Sequence, residues 1–160
     1  LILQSMGVQA TNSLVSLSGC SIVNPPRSAG AKGGAMAMRF VGMSALIARN
    51  TQISSSASCV HGARFVFLDT CAFMARDRCA IEGQGAMEVF IERSLLYGGY
   101  AALSGPSSGV IDGAVLESPG SPALRVGERL HLCGEHTRVG DEDGELWKKG
   151  HLVECTFGQR

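Results

Sequence analysis

The stretch Ala63–Gly105, ARFVFLDTCAFMARDRCAIEGQGAMEVFIERSLLYGGYAALSG, contains one unit twice. Each copy runs a short apolar segment, two polar residues, a second apolar segment, a loop, a third segment and a glycine. Within RFVFLDTCAF the apolar residues follow a period of two, which belongs to a strand, and show no 3.6-residue stripe. Aromatic and β-branched residues concentrate at the apolar positions, as strands favour.

The frame extends in both directions. Glycines closing the third segment recur at Gly42, Gly62, Gly83, Gly105, Gly127 and Gly150, at separations of about 20 to 23 residues that suit a solenoid. Gly7 fits as an earlier member if residues 24–34, NPPRSAGAKGG, form an inserted loop, which their proline and glycine density favours. A second landmark is the two-residue polar bend: Ser18-Gly19, Arg49-Asn50, Asp69-Thr70, Glu92-Arg93, Asp112-Gly113 and Glu135-His136. After each bend comes a small residue (Cys20, Thr51, Cys71, Ser94, Ala114, Thr137, Cys155) and, two further on, a large one (Ile22, Ile53, Phe73, Leu96, Leu116, Val139, Phe157). The spacing of two puts small and large on one face of a strand.

Strands this short recur at such intervals only if each coil turns back on itself, so that equivalent strands stack in parallel ~4.8 Å apart. The expectation is an all-β chain forming one parallel β-helix solenoid over 1–160, with about six to seven coils of roughly 20–23 residues and three short strands each. Ankyrin or tetratricopeptide repeats are longer and helical, and leucine-rich repeats carry a fixed leucine and asparagine frame that is absent.

Composition narrows the partners. The formal net charge is zero over 160 residues, so there is no basic footprint for nucleic acid. No apolar run approaches the ~20 residues of a membrane helix. The six cysteines form no CxxC pair and read as reduced, buried small hydrophobes, which points to a reducing, cytoplasmic-type compartment or a particle assembled inside the cell. The chain begins without methionine inside an apolar run, so a segment of a longer protein is expected. Open coils expose strand edges, and further protein, from the same parent chain or from partners, is expected to stack on the ends. A homo-oligomer is left open.

Three short strands per coil, a two-residue polar bend and a closing glycine together resemble the parallel β-helices of the pectin-lyase-like superfamily, over about residues 8–157. The resemblance implies a right-handed coil. It also implies where enzymes of that superfamily carry their chemistry, in acidic residues on one side of the helix. Here Asp69, Glu92, Asp112 and Glu135 occupy equivalent bends, with Arg49 and Arg93 beside them. Glycosidases need paired carboxylates ~5–9 Å apart, and stacking offers such spacing. Polar bends that face water are the plainer explanation. The Asn-Thr-Asp, Asp-Asp, Gly-His-Gly and Arg-Ile-Lys motifs of polygalacturonases are absent, Val60-His61-Gly62 being the nearest approach.

Other chemistry is thinner. His131, Cys133 and His136, with His151 and Cys155, are zinc-compatible side chains, but HxCxxH is not a standard site. Ser54–Ser56 and Cys59 beside His61 give no nucleophile–base contact, since adjacent strand residues face opposite ways. The acidic loop 140–145 lacks a calcium-loop frame. Gly83-Gln84-Gly85 leads into a strand and lacks the lysine of a phosphate loop. Trp147 is the only tryptophan and a candidate interface anchor. No cofactor is implied. The functional expectation is a non-enzymatic scaffold within a larger assembly, such as an adaptor or a capsid or fibre component. The alternative is a polysaccharide lyase, hydrolase or carbohydrate-binding module, which would need a groove lined by carboxylates and aromatic platforms. Alternating apolar residues on an outer face would favour a fibre segment.

Overall fold

A computed structural model of the chain describes residues 2–4, 7–24, 36–105, 107–119, 121–125, 130–133, 137–140 and 156–158. The strands come in triplets. After β1 (Ile2–Gln4) follow β2 (Val8–Thr11), β3 (Leu14–Ser18) and β4 (Ser21–Asn24), then β5 (Met38–Val41), β6 (Ala45–Arg49) and β7 (Gln52–Ser55). Next are β8 (Val60–His61), β9 (Phe65–Asp69) and β10 (Ala72–Ala75), then β11 (Cys79–Glu82), β12 (Met87–Glu92) and β13 (Leu95–Gly98). The chain continues through β14 (Ala101–Ser104), β15 (Ser107–Asp112) and β16 (Val115–Glu117) to β17 (Leu124–Arg125), β18 (Leu130–Cys133), β19 (Arg138–Gly140) and β20 (Thr156–Gly158).

Each member of a triplet pairs with its counterpart one triplet away, and every pairing is parallel. Three sheets result: A, in the order β1-β4-β7-β10-β13-β16-β19; B, β17-β14-β11-β8-β5-β2; and C, β20-β18-β15-β12-β9-β6-β3. The expected all-β solenoid is the observed fold, and there is no helix among the described residues. About four turns, residues 36–125, are described with only short gaps. That is fewer than the six to seven coils expected; further strands continue at either end, while the landmarks Gly127 and Gly150 lie outside the described residues. No described helix is long and apolar enough to cross a membrane.

The inward columns follow from the period of two. Ile22, Ile53, Phe73, Leu96, Leu116 and Val139 stand in register along sheet A, and all are buried. Along sheet C, Val15, Leu46, Val66 and Val89 form one column and Leu17, Ala48, Leu68, Ile91 and Ile111 another. Each fully buried Leu, Ile or Phe contributes ~1.5–3 kcal/mol by leaving water, so a column of large side chains on large ones is the main cohesive element.

The bend between sheets C and A has a single backbone device. Its second residue is left-handed in successive coils: Gly19 (φ 60°), Asn50 (48°), Thr70 (55°), Arg93 (45°) and Gly113 (61°). The small residue that follows then closes the turn. Cys20 Sγ donates to the Ser18 carbonyl at 3.3 Å, Thr51 Oγ1 to Arg49 at 2.9 Å, Cys71 Sγ to Asp69 at 3.4 Å and Ser94 Oγ to Glu92 at 2.6 Å. The Arg49, Asp69 and Glu92 carbonyls also accept a backbone N–H from the preceding coil, so the side chain adds a second, local bond. At these four bends the small column is a column of donors, and Ala114 fills it by size alone at the fifth.

Several sequence landmarks move. The corner equivalent to Gly42 in the preceding coil is Asn12, not Gly7: Thr11 pairs with Val41, Asn12 is left-handed at φ 48°, and its Oδ1 accepts from Met43 N at 3.0 Å. Phe157 does not extend the sheet-A column, because its strand pairs with β18 in sheet C, opposite Leu132; Cys155 lies outside the described residues. Of the inserted loop expected at 24–34 only Asn24 is among the described residues, and it ends β4. Its buried amide donates to the Met36 carbonyl at 3.0 Å, tying the end of β4 to the segment that leads into β5; residues 25–35 lie outside the described residues.

Gly109 interrupts an inward column of sheet C. Its φ is 132°, and a Cβ there would stand 1.9 Å from the Val89 carbonyl oxygen. Gly19 is also left-handed, yet nothing lies within 4 Å of its Cβ position. Gly19→Ala is therefore expected to lower unfolding free energy by about 1 kcal/mol, and Gly109→Ala by about 3 kcal/mol, from backbone strain plus the steric shift. Urea denaturation of both variants checks the ratio; equal losses would contradict the packing.

Candidate functional site

The ladder of sheet C brings three of the four bend carboxylates into one file. Arg49 pairs with Asp69, Asp69 with Glu92, and Glu92 with Asp112. The fourth does not follow: Asp112 pairs with Cys133, two residues ahead of Glu135. Residues 133–137 span what 112–114 span one coil earlier, because Arg138 pairs with Val115, so the last bend carries two extra residues. Glu135 and His136 lie outside the described residues.

Within the file, Asp69 is an arginine-bound carboxylate. Arg93 Nη2 stands 2.5 Å from Asp69 Oδ1 and 3.5 Å from Glu92 Oε2, and Thr70 Oγ1 donates to Asp69 Oδ1 at 2.9 Å. The Thr70 hydroxyl, then Arg93 and Arg49, hold the Asp69 carboxyl below its ordinary value against the opposing effect of burial. A glycosidase's general acid needs the opposite shift. The groove beside this file, over sheet A, is lined by residues including Asn50, Gln52, Thr70, Arg93, Ser94 and Leu95, and among the described residues neither a carboxylate nor an aromatic ring is part of its lining.

A polar network that the sequence frame overlooked lies on the outer side of sheet B. His61 pairs with Glu82 across the β8–β11 ladder. Ser58 Oγ donates to Glu82 Oε2 at 2.6 Å, and Arg78 Nη2 donates to Oε1 at 3.1 Å. His61 is buried; its Nδ1 lies 3.4 Å from Glu82 Oε2 without a hydrogen bond, and its Nε2 meets Gln84 Nε2 at 2.6 Å. In a hydrolase triad the imidazole stands between hydroxyl and carboxylate. Here the carboxylate is central and takes the Ser58 proton donor for itself, so the arrangement ties a corner together and does not present a nucleophile. Partial burial pushes the Glu82 carboxyl up, but Ser58, Arg78 and His61 outweigh it and hold the group below its ordinary value. The separation of His61 and Glu82 by one repeat was the available signal; nothing in the sequence marked Ser58.

The remaining candidates separate. Cys59 is fully buried and donates to the Ile53 carbonyl at 3.6 Å; burial pushes its thiol up to about 12, and that of Cys79 to about 11. A thiol so raised is not a nucleophile at neutral pH. His131 and Cys133 occupy β18, opposite Val110 and Asp112, but their side chains, like His151, lie outside the described residues. Among the described residues no three His, Cys, Asp or Glu side chains are grouped to hold a metal. The acidic residues 141–145 and Trp147 also lie outside the described residues.

The most distinctive surface is apolar. On the outward side of sheet C, Ile47, Phe67, Phe90 and Val110 stand in one file, each partly exposed. Ser16 precedes them in register. Phe65 packs on Phe90 with ring centroids 5.8 Å apart, and the Arg49 guanidinium lies 5.2 Å from the Phe67 ring centre. Leu14, in the adjoining file, is 62% exposed. Among the described residues, no other outward file keeps four apolar residues in succession. No family model, no curated protein and no solved structure matches this chain.

Two outcomes follow. At pH 8, a thiolate-selective alkylating reagent mapped by mass spectrometry should label half-exposed Cys20 well before Cys59 and Cys79 in the native protein, and all three in urea. Native labelling of Cys59 at the rate of Cys20 would contradict the burial. Because the folded-state pKa of Glu82 is depressed, its contribution to stability is complete above the unfolded value of ~4.3 and is lost as pH falls through the lower folded value. Glu82→Gln should therefore lose about 1–2 kcal/mol at pH 7, and its gap to wild type should close as pH falls toward 3. Urea midpoints at both pH values check this.

Proposed function

We propose that the chain is a non-enzymatic scaffold, a β-solenoid module that binds protein through the outer face of sheet C. The observation that carries the reading is the file Ile47, Phe67, Phe90 and Val110, extended by Phe65 and Leu14. A sheet with one face in water ordinarily alternates apolar-in and polar-out. Apolar side chains gathered on an outward face mark a contact surface. The pectin-lyase-like kinship, right-handed coil included, belongs to this proposal and draws on architecture: three parallel sheets and a recurrent two-residue bend. The carbohydrate alternative gains no support from a groove whose lining, among the described residues, includes neither carboxylate nor aromatic platform.

A reducing compartment is part of the same proposal. Cys20, Cys59, Cys71 and Cys79 are free thiols, and three of them donate hydrogen bonds to backbone carbonyls, a structural use that a disulfide would remove.

The test is affinity capture with wild type and with Phe67→Glu, whose change is confined to the outward face. Protein recovered by wild type, copies of the chain included, should be lost with the variant while the urea midpoint stays within experimental scatter. Recovery of the same set by both, or depolymerisation of an acidic polysaccharide by wild type, would overturn the proposal.

A further inference from the structure

We infer that the partner of this face is a second copy of the chain, packed antiparallel about a two-fold axis that passes between β9 and β12. The inference rests on the docking reading above and names its occupant. An isologous interface must be self-complementary: residue i meets j, and j meets i. The outward file of sheet C has that property. From one end it reads Ser16, Ile47, Phe67, Phe90, Val110, with His131 next in register. A two-fold between β9 and β12 sets Phe67 against Phe90 and Ile47 against Val110.

The charged file along the rim obeys the same operator. It reads Arg49, Asp69, Glu92, Asp112, so reversing the second copy puts Arg49 opposite Asp112 twice over. Asp69 then meets Glu92 across the axis, where the one Arg93 of each copy lies within 4 Å of both and offsets one of the two carboxylate charges. A parallel arrangement loses this correspondence, because the rotation then turns the bend rim of one copy toward the opposite edge of the other. In the next outward file the same operator sets exposed Glu88 against Phe65 of the other copy, at the edge of the overlap, where its carboxylate stays in water.

Area sets the strength. Six strands overlap under this operator, and at ~4.8 Å per strand and ~3.3 Å per residue over five residues they span ~29 by ~16 Å. The two copies together cover ~900 Å² in plan, and corrugation brings the buried area to about the ~1,000 Å² that a specific interface needs. A weak dimer at micromolar concentrations fits that size, and the paired phenylalanines at its centre are the anchors.

Sedimentation velocity on the 160-residue chain, from about 1 to about 200 µM at roughly 0.15 M salt, tests it. Wild type should pass from monomer to dimer. Arg49→Asp and Asp112→Arg should each raise the dimer Kd about 10-fold, since each substitution acts at two symmetry-related contacts. Combined, they should restore it to within about 3-fold of wild type, and Phe67→Glu should abolish association. Urea midpoints verify folding. If Arg49→Asp is unstable because Arg49 covers Phe67, Arg49→Gln replaces it, with an expected loss of about 3-fold. A monomer at every concentration, or a dimer indifferent to the single charge reversals or not rescued by the pair, overturns the inference. The two readings part cleanly: a monomeric wild type whose captured protein is still lost in Phe67→Glu removes the second copy and keeps the docking face. Unchanged capture removes both.

Discussion

Every coil has to return to its starting point displaced by one strand spacing, and the residue that arranges this sits between sheets C and A. A left-handed backbone at Gly19, Asn50, Thr70, Arg93 and Gly113 turns the chain through one angle in each coil. The hydroxyl or thiol that follows at four of these bends fixes the carbonyl behind it. With that angle constant, sheet C and sheet A stay in register, and inward residues of equal size meet each other. Glycine and asparagine take this conformation at little cost, whereas a residue with a larger side chain gives up about 1–2 kcal/mol. Thr70 and Arg93 are the two large exceptions, and both bind Asp69. A file that sets Asp69 beside Glu92 and then Asp112 would otherwise repel itself. Strain at the two bends is thereby offset by a hydrogen bond and a counter-charge on the Asp69 carboxylate.

This constraint also explains what could be read in the amino-acid order. The large column from Ile22 to Val139 was legible because the distance from bend to column is fixed by backbone geometry and never varies between Ile22 and Leu116. The polar pairs were legible for the same reason, although their common property is the left-handed second residue and not polarity. The landmarks that failed lie where that distance changes. Asn12 replaces glycine at a corner because asparagine also tolerates φ > 0, so a search by glycine passed over it. Two extra residues after Cys133 take Glu135 out of file with Asp112, and Phe157 joins sheet C. Counting landmarks cannot detect an insertion inside a bend, because only the ladder shows which residues are opposite.

The candidate surfaces divide in the same way. His61 and Glu82 are one repeat apart and fall side by side by register alone, but Ser58 reaches Glu82 through a corner whose path no periodicity specifies. Ile47, Phe67, Phe90 and Val110 were in plain view as members of apolar runs such as FVFL and VFI. A continuous run is what a strand buried on both faces looks like, and only its inward members belong to the core.

Sheet C thus has the composition of a sheet covered on two sides while the coil covers one. The outward sides of sheets A and B mix polar residues into their files and are compatible with water. In a solenoid the backbone hydrogen bonds run along the axis and are satisfied by neighbouring coils, so the lateral faces carry no unpaired ladder. Any contact on them is made by side chains alone. Specificity on such a face comes from the order of side chains along a file. The apolar file and the charged rim beside it are both laid out by the one bend geometry, two residues apart on the same strands. An arrangement that satisfies the first therefore fixes the second, and a reversed copy satisfies both.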